Sequence, residues 1–207
     1  KMGRPDLNVV IVSGDGDFLS IGLEHIAPQA QRNLNVCAVI MDNAVYGLTK
    51  GQSSPTTELG VITSSTPYGK METSLNALGL YLALGVSFIA SSYSSKPRDL
   101  AKLITAGIDH PGFAIVQVQS PCTTYNDTYE LLKGSVKKGI EPIAWDIPED
   151  HDATDRQAAY NLLQQDGVPL GVIYQRENSE SLDQRVDAMR QKANTRTLDQ
   201  QLSAFKI

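Results

Sequence analysis

Short apolar runs that alternate with helix-like segments constrain the fold of this 207-residue chain more than any other feature. Each run is rich in Val and Ile and is bounded by Gly, Asn or Asp, which is typical of strands buried on both faces of a parallel sheet. The predicted strands are residues 7–13, 35–41, 86–90, 113–118 and 170–174. The predicted helices are residues 18–31, 73–84, 97–107 and 153–165, the last with Asp152 as its N-cap. This alternation indicates an α/β fold with a mostly parallel sheet and helices on both faces.

The length of the chain permits one substantial core with extensions. We predict a single domain over residues 1–175, followed by a helical extension or tail over residues 176–207. In that extension Leu182, Val186 and Met189 recur at helical spacing within an otherwise polar stretch.

Residues 49–70 are rich in Ser, Thr, Gly and Pro and show no sustained period, which predicts a long loop. Loops of more than about 12–15 residues in compact domains are usually functional or disordered, and we favour a functional loop here. The first apolar run begins only a few residues after Lys1, so we expect that sequence upstream of this residue is missing.

The composition disfavours several partners. Lys and Arg number 18 against 23 Asp and Glu, a net charge of −5, without the basic excess that nucleic-acid binding usually requires. No apolar run reaches the length of about 18 residues that spans a bilayer, and the N-terminus has no signal-peptide pattern. Two cysteines are too few for a disulfide framework. We therefore expect a soluble, cytoplasmic protein that binds neither nucleic acid nor membrane.

A Gly-Asp-Gly-Asp turn, Gly14 to Asp17, directly follows the first predicted strand, and Asn43 follows the second. Ligands bind at the carboxyl ends of strands in open α/β sheets. The 26 residues between Gly16 and Asn43 accommodate one helix and the returning strand. We therefore expect Asp15 and Asn43 to meet at adjacent strand ends.

These residue types suit a magnesium-bound diphosphate. Mg²⁺ prefers six oxygens, which Asp15, the amide of Asn43, a backbone carbonyl near Val45, water and two diphosphate oxygens would supply. A helix that begins near Phe18 would direct backbone N–H groups at the phosphates, and Thr49 would add a hydroxyl. A Gly-Asp-Gly sequence after a strand is also a common turn, and by itself it is a weak signal.

The segments GDGDFLSIGLEHIAPQAQRN and DNAVYGLTKGQSSPT resemble the β subunit of 2-oxoacid:ferredoxin oxidoreductases, and the likeness covers most of the chain. The resemblance implies a thiamine-diphosphate-binding fold, bound thiamine diphosphate and Mg²⁺, and an α subunit in a hetero-oligomer. It also implies oxidative decarboxylation of a 2-oxoacid to an acyl-coenzyme A, with electrons passing through iron–sulfur clusters to ferredoxin. The resemblance places Asp15, Asn43 and the carbonyl of Val45 at the metal. Around the cofactor it places Gly14, Gly16, Asp17, Gly47, Leu48 and Thr49.

Cys122 lies in SPCTTYND, just past the predicted strand 113–118. A single Cys is more often a small buried hydrophobe than a ligand. The resemblance implies instead that Cys122 supplies the last thiolate of a 4Fe-4S cluster whose other cysteines precede the Gly-Asp-Gly strand. Such a cluster normally requires four thiolates, so we do not expect this fragment to assemble one alone. Cys37, in an alternating apolar run, is expected to pack in the core.

Two further residues are candidates for a catalytic role. In the resembled β subunits the first helix carries histidines and arginines that approach the active site, and His25 and Arg32 match them whereas Pro28 departs from the pattern. For His25 a substrate-orienting role and a plain surface position are equally good interpretations. Lys50 is a candidate for meeting a substrate carboxylate at the entrance of the active site, although a solvated Lys is the usual alternative.

The remaining features bear on mechanism and substrate. Thiamine enzymes need a carboxylate on the aminopyrimidine, and no convincing Glu is visible here, so we expect that group on the partner subunit. The segments EDHDATDRQAAYNLL and PLGVIYQ favour 2-oxoglutarate over pyruvate. His110 and His151, flanked by turn residues and acids, are expected to be structural.

Two alternatives stay open. A non-redox thiamine enzyme, such as a 2-oxoacid decarboxylase or an acetohydroxyacid synthase, shares the metal motif, although Cys122 and the YGLTKGQ segment disfavour it. A non-catalytic module that holds a nucleotide or a structural cation is the other.

Overall fold

The computed structural model describes residue 4, residues 6–193 and residues 196–205. Strands and helices alternate along most of the chain. In chain order the elements are β1 (Val10–Gly14), α1 (Asp15–Phe18), α2 (Leu23–Arg32), β2 (Val36–Asp42), β3 (Val45–Tyr46), β4 (Gln52–Ser53), α3 (Ala77–Leu84), β5 (Phe88–Tyr93), α4 (Pro97–Asp109), β6 (Phe113–Gln119), α5 (Tyr129–Lys133), a 3₁₀ turn (Val136–Lys138), β7 (Ala144–Asp146), α6 (Arg156–Leu162), β8 (Val168–Gln175), α7 (Leu182–Lys192) and α8 (Leu198–Ser203).

The main sheet contains six strands in the order β1-β2-β6-β5-β8-β7, and β3 pairs with β4 in a separate hairpin. Within the described residues, β8 runs antiparallel to β5, and the other neighbouring strands of the main sheet are parallel. The predicted α/β fold with a mostly parallel sheet is therefore confirmed.

Apolar side chains cover both faces of this sheet. On one face Ile40, Ile89 and Ile115 pack with Ile26 of α2 and Tyr81 of α3. On the other face the intervening strand residues, among them Cys37, Val39 and Val116, pack with Leu103 and Ile104 of α4. Successive strand residues point to opposite faces, so the central strands are buried on both faces and largely apolar. The core position predicted for Cys37 is confirmed, and burial raises the pKa of its thiol to about 11.

All five predicted strands are present, with shifted bounds. The strand predicted at residues 86–90 extends to Tyr93, because Ser91 and Ser92 are small enough to be buried within the sheet. The short strand β7 was not predicted, since three residues around Trp145 show no periodicity.

The prediction of one helix over residues 18–31 is wrong. α1 starts earlier, at Asp15, and ends at Phe18, and α2 begins at Leu23. The N–H of Gly22 bonds back to the carbonyl of Asp17 at 2.8 Å, which closes a turn between the two helices. A Cβ on Gly22 would lie 2.8 Å from that carbonyl oxygen, so a side chain there is not accommodated. The helix N-terminus at the site is therefore that of α1.

The predicted N-cap Asp152 is also wrong, because Asp155 caps α6 by accepting from the N–H of Gln157 at 2.8 Å. Asp152 instead accepts from both the N–H and the hydroxyl of Thr154 in the preceding turn. The helix predicted from residue 73 begins at Ala77, where the Asn76 side chain caps it.

The segment after β8 contains the predicted helix, which starts with a capping box between Ser181 and Gln184. Whether residues 176–207 form a unit separate from residues 1–175 stays a prediction. The long loop predicted at residues 49–70 is confirmed from residue 54 onward, where no helix or strand occurs before residue 77, but β4 (Gln52–Ser53) lies within the predicted range. No helix in the described ranges is long and apolar enough to cross a membrane.

Candidate cofactor site

The Gly-Asp-Gly turn and Asn43 lie side by side at the carboxyl ends of β1 and β2. These strands are parallel neighbours with Gly14 opposite Met41, so the residues that follow each strand emerge at the same edge. The backbone N–H of Asn43 donates to Asp15 Oδ1 at 3.3 Å. The meeting of Asp15 and Asn43 that the spacing predicts is therefore present, and the Asp15 side chain is buried.

A second carboxylate, Asp42, belongs to the same site. The Thr56 hydroxyl lies 2.8 Å from Asp15 Oδ2 and 2.8 Å from Asp42 Oδ1. Gln117 Nε2 donates to Asp42 Oδ2 at 2.9 Å, and Gln117 in turn accepts from the hydroxyl of Tyr81. Burial, together with the nearby charge of Asp15, raises the pKa of Asp42 to about 6. Polar groups thus form a continuous buried chain from the sheet interior to the Gly-Asp-Gly turn.

The charge balance of this cluster favours a bound cation. In the described part of the chain no ion pair involves Asp15 or Asp42, although both are buried. Buried carboxylates are normally compensated by a cation or a metal. The Asn43 amide oxygen accepts from the N–H of Val45 at 3.0 Å, which folds residues 43–45 tightly around the site. Oxygen ligands of this kind fit Mg²⁺.

Gly16 permits close packing around this turn, and Gly47 lies between Asn43 and Cys122. The ring of Tyr46 lies directly against Gly16, and its hydroxyl donates to the Gly16 carbonyl at 3.1 Å. A Cβ placed on Gly47 would lie 3.7 Å from the Asn43 amide nitrogen and 3.8 Å from Cys122 Sγ. Gly47 therefore separates the metal-ligand candidate Asn43 from the cysteine.

The loop that follows contains the other predicted cofactor residues. Leu48 is 99% exposed, and Thr49 and Lys50 are also exposed. The Thr49 hydroxyl donates to the side chain of Gln52. Lys50 has a φ of 78°, in the left-handed region that non-glycine residues rarely adopt. Such conformations cluster at ligand-binding segments.

The buried side chain of Lys70 holds the long loop in place. Lys70 Nζ donates to the carbonyls of Ser54, Pro55 and Thr57 at 3.1, 3.2 and 2.7 Å, so all three ammonium protons are used. The Thr57 hydroxyl donates to the carbonyl of Ala44 at 2.6 Å. The loop is therefore joined to the strand end that carries Asn43.

The two remaining candidate residues are Cys122, which lies beside Gly47, and His25, which lies on α2. Cys122 is half-buried beside Gly47, and the side chain of neighbouring Asn126 donates to the Asn43 carbonyl at 3.0 Å. His25 is exposed on the first turn of α2 and borders an apolar groove with Val9 and Ile11.

The described residues do not fit a 4Fe-4S cluster by themselves. The chain has two cysteines, and Cys37 is buried within β2. No group of three or more metal-ligating side chains of the His, Cys, Asp and Glu types is present in the described ranges.

Sequence reasoning missed Asp42, Thr56, Lys70 and Gln117. Asp42 could have been predicted as a site residue, because it directly precedes Asn43 and a carboxylate at the end of a buried strand needs a partner. Thr56 and Lys70 lie in a loop without periodicity and gave no such signal.

Comparison with known proteins agrees with this site. A family model described as "Thiamine pyrophosphate enzyme, C-terminal TPP binding domain" matches residues 1–118. A second family model, for the C-terminal part of the pyruvate ferredoxin oxidoreductase beta subunit, matches residues 122–191. The fold is thus that of the thiamine pyrophosphate-binding domains.

Similar individual proteins identify a narrower family among the thiamine pyrophosphate-binding domains. The chain is similar to the 2-oxoacid:ferredoxin oxidoreductase subunit beta of Saccharolobus solfataricus, with 36% identity over 90% of this chain and 63% of the relative. The 2-oxoglutarate oxidoreductase subunit KorB of Mycobacterium tuberculosis is 38% identical over 68% of this chain and 37% of its own length. This chain belongs to the family of 2-oxoacid:ferredoxin oxidoreductase β subunits. It spans just under two thirds of the length of the Saccharolobus relative.

A solved structure gives the same result. It is described as 2-oxoglutarate:ferredoxin oxidoreductase from Magnetococcus marinus with 2-oxoglutarate, coenzyme A and succinyl-CoA bound. The match has a TM-score of 0.86 and 35% identity, and it covers all of this chain and 70% of that chain.

Proposed function

We propose that this chain forms the diphosphate-binding half of the active site in an oxidoreductase that converts a 2-oxoacid to an acyl-coenzyme A and passes electrons to ferredoxin. The observation that carries the proposal is the buried Asp15 carboxylate beside Asn43, with no ion-pair partner among the described residues. The substrate we favour is 2-oxoglutarate. The Mycobacterium relative is named for it, and the Magnetococcus structure holds it together with coenzyme A and succinyl-CoA.

In this proposal Asp15, the Asn43 side chain and the Val45 carbonyl hold Mg²⁺. Thiamine diphosphate, when bound, supplies the carbanion chemistry, and the protein binds, orients and shields it. Residues close to the cofactor are Gly14, Gly16, Asp17, Gly47, Leu48 and Thr49. The short helix α1 begins at Asp15, and its first backbone N–H groups have no partner within the helix, so they suit a diphosphate.

The proposal includes an α subunit that completes the site. Leu48 and Ile21 are large apolar side chains that are 99% and 86% exposed near the Gly-Asp-Gly turn, and a partner surface would cover them. The carboxylate that acts on the aminopyrimidine is assigned to that partner. His25 and Lys50 are proposed to orient the substrate from the exposed side of the site. Two unpaired cysteines suit a reducing, cytoplasmic location.

Electron transfer is proposed to use a 4Fe-4S cluster for which Cys122 is one ligand. The Cys122 thiol lies near Gly47, so a cluster bound there would adjoin the loop of the cofactor site. Because this chain supplies one candidate thiolate, the other three must come from sequence outside it.

The proposal is tested with the full-length β subunit assembled with its α subunit. We expect Mg²⁺-dependent binding of thiamine diphosphate by calorimetry, and ferredoxin reduction that requires coenzyme A and is faster with 2-oxoglutarate than with pyruvate. Asp15→Ala should weaken Mg²⁺-dependent binding by more than about 100-fold, because even outer-shell changes at metal sites cost about 10–100-fold.

The control is Asp109→Ala, which removes an exposed carboxylate at the end of α4. It should bind cofactor like the wild type. Cofactor binding that needs no Mg²⁺, or that survives Asp15→Ala, would contradict the metal assignment. Decarboxylation without ferredoxin reduction, in a preparation that lacks iron, would favour the non-redox alternative.

A further inference from the structure

The hydroxyl of Thr56 bridges two buried carboxylates at the candidate metal site. Its Oγ1 lies 2.8 Å from Asp15 Oδ2 and 2.8 Å from Asp42 Oδ1, and the residue is 8% exposed. A threonine hydroxyl has one proton, so it donates to one of these oxygens at a time. The Thr56 hydroxyl therefore connects Asp15, the proposed metal ligand, to Asp42, which is not proposed as a ligand.

The position of the Thr56 hydroxyl is fixed from the loop side. The Thr56 carbonyl accepts from the Ser74 hydroxyl at 2.9 Å, and Lys70 binds the carbonyls on both sides of it, those of Pro55 and Thr57. These bonds hold the backbone of Thr56 in place independently of the carboxylates. The hydroxyl is therefore presented to the acids by a rigid segment of the loop.

Asp42 is fixed from the sheet side. Its Oδ2 accepts from Gln117 at 2.9 Å and its Oδ1 accepts from the N–H of Ala44 at 3.1 Å. By contrast, Asp15 Oδ1 accepts from the N–H of Asn43 at the longer distance of 3.3 Å. The shorter hydrogen bond that the structure gives to the Asp15 carboxylate is therefore the one from Thr56.

We infer that Thr56 is a positioning residue that orients the Asp15 carboxylate for the cation. The Thr56 hydroxyl, which Asp42 and the loop hold in place, binds Asp15 Oδ2. Asp15 Oδ1 stays available for Mg²⁺. This inference rests on the proposed function, because it assumes that Asp15 binds the cation. Partners that orient a ligating carboxylate typically affect metal affinity by about 10–100-fold.

The test compares Thr56→Val with Thr56→Ser in the full-length β subunit assembled with its α subunit. Valine keeps the shape of threonine and removes the hydroxyl, whereas serine keeps the hydroxyl. With thiamine diphosphate saturating, we expect Thr56→Val to raise the Kd for Mg²⁺ about 10–100-fold and Thr56→Ser to keep it within about threefold of the wild type. Titration with Mn²⁺ followed by electron paramagnetic resonance gives an independent measure of metal binding.

Thr105→Val is the matched control, because it makes the same substitution at an exposed threonine on α4, whose hydroxyl donates to the carbonyl of Ala101 and takes no part in the site. We expect this variant to bind Mg²⁺ like the wild type. A wild type without Mg²⁺-dependent cofactor binding would overturn the proposed function and this inference together. If the wild type binds, only the inference is overturned by a Thr56→Val Kd within twofold of the wild type, by failure of serine to restore affinity, or by an equal loss in Thr105→Val.

Discussion

At the scale of single residues, Gly16 shows why a glycine is required in the turn. Without a Cβ, a glycine lets the backbone approach a ligand closely. The structure adds a second reason, because a Cβ on Gly16 would lie 2.3 Å and 2.7 Å from two ring carbons of Tyr46. Distances below 3 Å between such atoms require the ring or the turn to move. The Tyr46 ring thereby locks residues 43–46 against α1, which carries Asp15.

We predict that Gly16→Ala displaces Tyr46 and raises the Kd for Mg²⁺ and thiamine diphosphate at least about tenfold. Overpacking of this kind costs about 1–3 kcal/mol of stability. Urea unfolding of the cofactor-free full-length protein measures that loss. Tyr46→Ala combined with Gly16→Ala should be destabilised by less than the sum of the single variants, because the second change removes the clash. Strict additivity would show that the ring is not what excludes a side chain at this position.

The residues that form the site could be predicted where a repeating pattern fixes their place in the fold. Asp15 and Asn43 follow two buried strands, and parallel neighbours end at one edge, so their meeting follows from the sequence. Thr56 could not be predicted, because its approach to Asp15 depends on the path of an irregular loop. That path is set by tertiary hydrogen bonds, such as those of Lys70, that leave no local pattern.

At the scale of structural elements, the buried ammonium group of Lys70 holds the loop of residues 54–57 in place. The sequence gives no reason to expect that Lys70 is buried. In the structure it is 6% exposed and donates to three carbonyls. Buried backbone carbonyls in a loop need such a donor, since no strand or helix satisfies them. Lys70 therefore supplies the loop with the hydrogen bonds that regular elements obtain internally.

We predict that Lys70→Met lowers the free energy of unfolding by about 1–3 kcal/mol. Methionine keeps the length of the side chain but removes the Lys70 donor from the Thr57 carbonyl, whereas the carbonyls of Ser54 and Pro55 keep the backbone N–H groups of Thr57 and Leu75. A buried unsatisfied group costs about 1–3 kcal/mol. Urea unfolding of the full-length protein measures the change. Lys102→Met, which affects an exposed lysine on α4 paired with Asp99, should stay within about 0.5 kcal/mol of the wild type. A Lys70→Met variant as stable as this control would contradict the role of Lys70.

Among the elements, the strands were predicted better than the helix ends. Each of the five predicted strands lies in a run rich in apolar residues, whereas a helix boundary depends on single capping contacts. Asp152 was predicted as the cap of α6 but Asp155 caps it, because the start of α6 depends on how the helix packs against the sheet. Likewise the break between α1 and α2 depends on the bond from Gly22 to Asp17, which periodicity does not reveal.

At the scale of the whole molecule, a buried polar hub joins the C-terminal segment to the core. The Asn33 amide donates to Ser179 Oγ at 3.0 Å and to the Glu180 carbonyl at 2.7 Å, and its oxygen accepts from Ser87 and from the N–H of Phe113. These contacts connect the end of α2 and the starts of β5 and β6 with the segment that leads into α7. The hub lies at the opposite ends of these strands from the cofactor site.

His110 places a titratable group in this hub. Its Nε2 lies 2.9 Å from Ser87 Oγ, and because Ser87 gives its own proton to Asn33 or to the Phe113 carbonyl, Nε2 acts as the donor. Its Nδ1 is buried without a hydrogen-bond partner in the described residues. Burial, reinforced by the charge of Arg176, lowers the pKa of His110 to about 4.

We predict that the protein loses stability as the pH falls from about 6.5 to 4, and that His110 contributes to this loss. An unfolded histidine takes up a proton near pH 6.5, whereas the folded one does so only near pH 4, so the unfolded state binds more protons across this window. The expected contribution is about 3 kcal/mol, since one pKa unit corresponds to about 1.4 kcal/mol. His110→Gln, which keeps a donor for Ser87, should remove that part of the dependence.

The measurement is urea unfolding of both proteins at several pH values, and the quantity of interest is the difference between their slopes. Asp42 acts in the opposite sense, because its raised pKa makes the folded state the one that gains a proton as the pH falls towards about 6 and below. Since both proteins contain Asp42, its contribution cancels in the difference. His25→Gln, which alters an exposed histidine, should keep the wild-type slope. Equal slopes for the wild type and His110→Gln would show that the hub tolerates a charged imidazole.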